Sequence, residues 1–478
     1  MSRIVERFES VCREYSHITA VVYREGKTVC RRSFSELYEE VSCMRAHLLH
    51  SGVKHGDRIL AFAASSYKLC VFMLAALQTG ASVMYVDIHA RQSSLRSVFA
   101  DYKPDMVLVS DVTKHIRFLF SEINKIKKVI NIDRVSADAA QAPVAADISD
   151  DTPALLTMTT GSTGRPKIAV RSHLDLMQQL QLINANIDAE GHQTVLTTSF
   201  IYIFANILNG YTTVMPQLNI GRWSVKKINR TLSLFKDEPI TMIITSPDFC
   251  LKAENIFPHL EILYFGGAIL NLYEARRIRE KFPSCRCIVI YGSTECSIIA
   301  TSELDEFISV LQKEQRSILG RVVDGVRVKL SEQGEILVTS EALLESYLIN
   351  DPATKERDDS GILWHHTNDI AAEENGLLYF LGKSGRYIEI SGKRVYSNCI
   401  EQQIIAHFPA LRKCSVLEHN GRIFVVLQKG DSPDIAAVMG FVRSLGIASP
   451  ELRIVKCIPC DVKHHTKINY EKLKEKLK

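Results

Sequence analysis

The chain has 478 residues, of which 46% are hydrophobic and 23% charged, with a formal net charge of +4. That length exceeds a single hydrophobic core and predicts at least two domains. Near-balanced charge excludes a dedicated nucleic-acid surface, and the longest apolar run, Leu69 to Leu77, is too short for a membrane span.

The N-terminal MSRIVERFESVCREY carries charges where a secretory peptide needs an apolar centre. Twelve cysteines follow no disulfide-like rhythm, which fits a reducing, cytoplasmic setting. Cys457 and Cys460 form a lone CxxC, and Cys285 and Cys287 lie two apart in a predicted strand. Neither pair has the second pair that a metal or redox site would need.

Ser33 to Leu49 has helical spacing (Leu37, Val41, Met44, Leu48), with Ser33 as N-cap and Glu36 completing a capping box. After a turn over Gly52 to Asp57, Arg58 to Ala64 predicts a buried strand. Val71 to Leu77 predicts a buried helix ended by Gly80, and Ala81 to Val86 a further strand. Ala154 to Met158 is a strand that delivers a glycine-rich loop, and Leu174 to Ile183 a helix behind it. The strand Ile262 to Phe265 ends at Gly266-Gly267, and Ile288 to Ile290 ends at Tyr291-Gly292. Ligands of open α/β sheets commonly bind at such strand ends. From about Gly334 the pattern changes to short strands and turns. The predicted fold is α/β: a large N-terminal region of layered sheets (1–381) and a small mobile α+β domain (382–478), with a hinge at Gly382 to Gly385.

The loop Thr159 to Lys167 combines hydroxyls, two glycines, Pro166 and a terminal lysine. Such a loop brings many donors close to a polyanion and suits a triphosphate. It differs from the common NTPase P-loop, because Lys167 follows proline and precedes Ile168.

Six segments in order, from about Ser33 to Leu473, resemble the adenylate-forming superfamily of acyl-CoA synthetases, peptide-synthetase adenylation domains and luciferases. Phe72 to Ala81 is similar to its structural helix–strand motif. Gly334 to Leu337 and Ser346 to Pro352 resemble a further architectural segment. The resemblance implies that Thr160, Ser162, Thr163 and Lys167, on the backbone of Gly161 and Gly164, handle the β- and γ-phosphates of ATP. In Tyr291-Gly292-Ser293-Thr294-Glu295 it implies that Tyr291 stacks on adenine, Thr294 contacts the α-phosphate and Glu295 holds Mg²⁺. Gly266-Gly267-Ala268 resembles the floor under adenine and the acyl group. Asp369 would accept both ribose hydroxyls; Asn368 stands where the family has glycine, a turn position asparagine tolerates.

At the hinge, Lys383 replaces the family's arginine, and Gly385 an aspartate or lysine. Lys383 can reach a ribose oxygen but lacks the guanidinium fork. By the same resemblance Arg394 meets phosphate in one domain orientation, and Gly392 lines the thiol's path in the other. Lys467, in Thr466-Lys467-Ile468-Asn469 with threonine in place of glycine, would bridge the carboxylate and the α-phosphate.

The implied reaction joins a small-molecule carboxylic acid to AMP, then to a thiol: coenzyme A or the phosphopantetheine of an acyl carrier protein. Amino-acid-activating members have Ser-Phe-Asp where this chain has Ser199-Phe200-Ile201. Ile201 cannot pair with an ammonium, and an unpaired buried cation is costly. Phe200, Ile201 and Phe204, above Gly266, suit a fatty or aryl acid. Two alternatives stay open: a β-lactone synthetase acting on a β-hydroxy acid, and a non-catalytic nucleotide-binding member marked by Lys383, Gly385 and Thr466.

Overall fold

The computed structural model describes residues 1–86, 99–115, 125–126, 128–135, 147–159, 167–218, 224–344, 346–348, 354–429, 434–460 and 467–477. Local signals set many helix starts. Ser33 and Glu36 form the predicted capping box of helix Phe34–His50. Ser172 and Asp175 do the same for helix His173–Ala185, which therefore begins before the expected Leu174. Helix Tyr67–Leu77 also starts earlier than its apolar run suggests, because the Ser66 hydroxyl accepts from the Leu69 N–H at 3.2 Å.

Two sheets carry the N-terminal region. In the seven-stranded one the order is Ser346–Tyr347, Lys167–Ser172, Pro153–Thr159, Ser82–Tyr85, Arg58–Phe62, Met106–Val109, Lys128–Asn131. The other has fourteen strands. Its parallel centre runs Thr212–Val214, Thr194–Thr197, Met242–Thr245, Ile262–Gly266, Arg286–Ser293. Short continuous apolar runs such as Met242–Thr245, buried throughout, suit strands covered on both faces.

One expectation needs correcting. The strand predicted to stop at Ile290 continues to Ser293, because Tyr291, Gly292 and Ser293 pair antiparallel with the strand Ser297–Glu303 across a bulge. A glycine normally signals a strand end; here it permits close approach. A Cβ on Gly292 would stand 2.0 Å from the Ser297 carbonyl oxygen.

The smaller C-terminal domain has a two-stranded sheet, Tyr387–Ile390 with Lys393–Tyr396, and a three-stranded sheet, Cys414–His419, Arg422–Gln428, Glu451–Val455. Ile388, Ile404, Val416, Val425 and Val438 build its own core. It rests on the larger region through polar contacts. Gln402 Nε2 donates to the Leu270 carbonyl at 3.2 Å, Asn271 Nδ2 to the Arg412 carbonyl at 3.0 Å, and Lys413 pairs with Glu274 at 3.5 Å. Within this domain the buried Glu401 accepts from the Val416 N–H (2.8 Å), the Ser415 hydroxyl (3.1 Å) and the Tyr470 hydroxyl (3.2 Å). It thereby ties helix Ser397–His407 to the last helix, Tyr470–Glu475.

All twelve cysteines are free thiols. The Cys285 and Cys287 sulfurs are 3.7 Å apart. No helix among the described residues is long and apolar enough to cross a membrane.

Candidate adenylate-forming site

Gly266 and Gly267, and the segment Tyr291 to Glu295, lie at the carboxyl ends of adjacent parallel strands. A Cβ on Gly266 would lie 2.4 Å from the Ile290 carbonyl oxygen, so the two strand ends meet as bare backbone. Beyond them Tyr291 donates its hydroxyl to Asp369 at 2.9 Å. Burial foremost, then the Asp369 charge, pushes the Tyr291 hydroxyl well above its ordinary range, so it stays a donor.

Asp369 is 8% exposed. Its own N–H donates to Thr367 Oγ1 at 3.1 Å, and the Asn368 N–H donates to Glu335 at 2.8 Å. Asn368 has φ +58°, the left-handed conformation for which asparagine was expected to replace glycine. Lys383 stands opposite Asp369 in the strand register, with Nζ 2.5 Å from Oδ1. Tyrosine, carboxylate and lysine thus form one hydrogen-bonded cluster beside the two strand ends, with the carboxylate accepting from both neighbours.

Glu295 occupies the other end and is 9% exposed. Tyr347 donates its hydroxyl to Oε1 at 2.7 Å, while Oε2 is 3.8 Å from His365 Nε2. His365 Nδ1 faces the Thr354 carbonyl at 3.0 Å, which places the proton on Nδ1. Burial, outweighing the pull of Glu295, lowers the His365 pKa and keeps the ring neutral. Among the described residues no three metal-ligating side chains converge. One hard carboxylate oxygen suits a cation that takes most of its shell from phosphate and water, as Mg²⁺ does. Lys167 and Lys355 add positive charge, their Nζ atoms lying 5.8 and 5.0 Å from the Tyr347 ring centre.

Of the predicted residues, Tyr291, Gly292, Thr294, Glu295, Gly266, Gly267, Ala268, Asp369 and Lys383 share this strand-end surface. Lys167 opens the strand Lys167–Ser172. Thr160, Gly161, Ser162, Thr163 and Gly164 lie outside the described residues. Gly392, Arg394 and Lys467 are exposed on the C-terminal domain, where the Arg394 guanidinium covers the Tyr387 ring at 4.6 Å.

Phe200 is half-buried beside Tyr85, with ring centres 5.6 Å apart, and Ile201 is likewise half-buried. Phe204 differs. It is 2% exposed, its ring centre 5.8 Å from that of Phe200, and it lies near Ile4, Phe8 and Leu74. Helix Phe200–Leu208 has one amide, Asn206, and it is buried, so polarity alone does not separate Phe204 from the half-buried Phe200 and Ile201.

Sequence reasoning did not single out Arg171 and Gln179. Arg171, 5% exposed, donates to the Thr294 carbonyl, and Gln179 reaches the Thr294 and Glu295 carbonyls. A charged residue inside the apolar strand KIAVRS was the available signal.

Residues 8–348 match the family described as AMP-binding enzyme, and the chain belongs to that family. The D-alanine–D-alanyl carrier protein ligase of Streptococcus equi subsp. equi is 26% identical over 404 residues, covering 78% of this chain and 77% of that protein. The fold is similar to ATP-bound MatB from Rhodopseudomonas palustris, at a TM-score of 0.82 and 19% identity over 99% of this chain and 98% of that one. It is also similar to the Bacillus subtilis o-succinylbenzoate coenzyme A synthetase with ATP and magnesium, at a TM-score of 0.80 and 19% identity over 98% and 99%. The protein is an adenylate-forming ligase of that superfamily.

Proposed function

We propose that the chain uses Mg-ATP to activate a carboxylic acid without an α-ammonium, a fatty or aryl acid, and passes the acyl group to a thiol. The observation that carries the acid class is Ile201. It sits half-buried beside Phe200 where an ammonium-binding carboxylate would be needed. A relative named as a D-alanine ligase does not move this reading, because no acidic side chain replaces that aspartate at Ile201.

Asp369 and Lys383 would hold the ribose, Tyr291 the adenine face and Thr294 the α-phosphate. Bound at Glu295, Mg²⁺ would neutralise phosphate charge as pyrophosphate departs. The hydroxyl loop at 160–166 and Lys167 would grip the leaving phosphates. Lys467 would bridge the acid's carboxylate and the α-phosphate, lowering the repulsion between two anions. We place the pivot of the small domain at Gly382 to Gly385. Its rotation would withdraw Lys467 and bring Gly392 to the thiol's path.

The acceptor is coenzyme A or a carrier-protein phosphopantetheine; the carrier ligase and the coenzyme A synthetase above make either compatible. The free cysteines favour a cytoplasmic setting. The test is acid-dependent exchange of pyrophosphate into ATP across fatty, aryl, β-hydroxy and amino acids. Exchange with fatty or aryl acids is expected. Exchange confined to amino acids would overturn the acid class, and none at all would overturn the reaction.

A further inference from the structure

Arg171 is buried in its strand; the charges of Glu295 and Asp175 act on it, but its hydrogen bonds do not go to a carboxylate. Its donors go to three neutral acceptors. Nε donates to Gln179 Oε1 at 2.7 Å, Nη1 to Thr157 Oγ1 at 2.8 Å, and Nη2 to the Thr294 carbonyl at 2.8 Å. Burying a guanidinium with no direct carboxylate contact is costly even with those charges nearby, which points to a purpose beyond packing. Gln179 extends the grip, its Nε2 lying 3.4 Å from the Thr294 carbonyl and 3.3 Å from those of Glu295 and Ala342. The Leu344 N–H closes the arrangement by donating to the Glu295 carbonyl at 2.9 Å.

These contacts cross a structural seam. Arg171 and Thr157 belong to the seven-stranded sheet, whereas the turn they hold follows a strand of the fourteen-stranded one. We infer that Arg171, oriented by Thr157 and Gln179, is a positioning residue that fixes the Thr294–Glu295 backbone for the metal–phosphate end of the nucleotide. The inference rests on the acid-activating reading above. Asp369, at the nucleoside end, is fixed separately through Thr367 and Lys383. Loosening the clamp therefore affects phosphate and metal while sparing the nucleoside.

The experiment measures calorimetric dissociation constants for Mg-ATP and for adenosine without metal, in the full chain and in Arg171→Met and Arg171→Lys. Losing a hydrogen bond from a charged donor predicts that Arg171→Met weakens Mg-ATP about tenfold and changes adenosine by less than about twofold. Arg171→Lys keeps the charge but not the fork, so its Mg-ATP loss falls between parent and Arg171→Met. If Arg171→Met does not fold, Arg171→Lys carries the same comparison. Equal weakening of both ligands, or of neither, overturns the inference. Absence of acid-dependent exchange in the parent would overturn the reaction alone, since the binding split still decides the clamp.

Discussion

Glu401 offers a quantitative test of how the C-terminal domain is held. Burial lifts its carboxyl from 4.5 to about 7, against the lowering pull of the Val416 N–H and the Ser415 and Tyr470 hydroxyls. The folded state therefore binds more protons than the unfolded one between those values. Stability is highest below the lower value and is lost as pH rises through the upper one. A displacement of roughly 2.5 units, at about 1.36 kcal/mol each, gives a loss of about 3 kcal/mol. Glu401→Gln keeps an acceptor where Oε1 receives its donors but cannot ionise, so its profile should be flat. Hydrogen exchange of peptides covering Cys414–His419, corrected for intrinsic rates, reads this locally. Between pH about 5 and about 8 parental protection should fall on the order of a hundredfold relative to the variant. Parallel profiles in parent and variant would refute the assignment.

Other outcomes follow from the site. Asp369→Asn removes the charge that meets Tyr291 and Lys383, and should raise the KM for ATP in pyrophosphate exchange by about tenfold; an unchanged KM would count against the ribose role. Lys467→Ala should reduce adenylate formation by about a hundredfold or more while ATP affinity changes far less, and turnover equal to the parent's would remove its assigned role. Gly292→Ala forces a methyl against the Ser297 carbonyl. It should cost about 1–3 kcal/mol in thermal or denaturant unfolding, and parental stability would show that the bulge yields.

What the sequence made legible was local or backbone-driven. Ser33 with Glu36 announced a helix start because both partners lie within one turn. Asn368 was recognisable as a glycine substitute because its requirement is a single φ. The strand to Ser293 was missed because Gly292 reads as punctuation until its partner strand is known. Arg171 was missed for a different reason: a cation near the end of a six-residue strand that also begins with Lys167 looks solvent-facing, and its acceptor at Thr294 lies 123 positions away. In FIYIFANIL the one amide, Asn206, is itself buried, so polarity does not say which side of the helix turns inward.

The seam between the two sheets separates what must stay constant from what can vary. The strands Pro153–Thr159 and Lys167–Ser172 belong to the seven-stranded sheet, while Phe200, Ile201 and Gly266 lie at strand ends of its larger neighbour. Under the proposed roles, residues that choose the acid and residues that hold the leaving group would be drawn mainly from different scaffolds, so one set could change while the other keeps its frame.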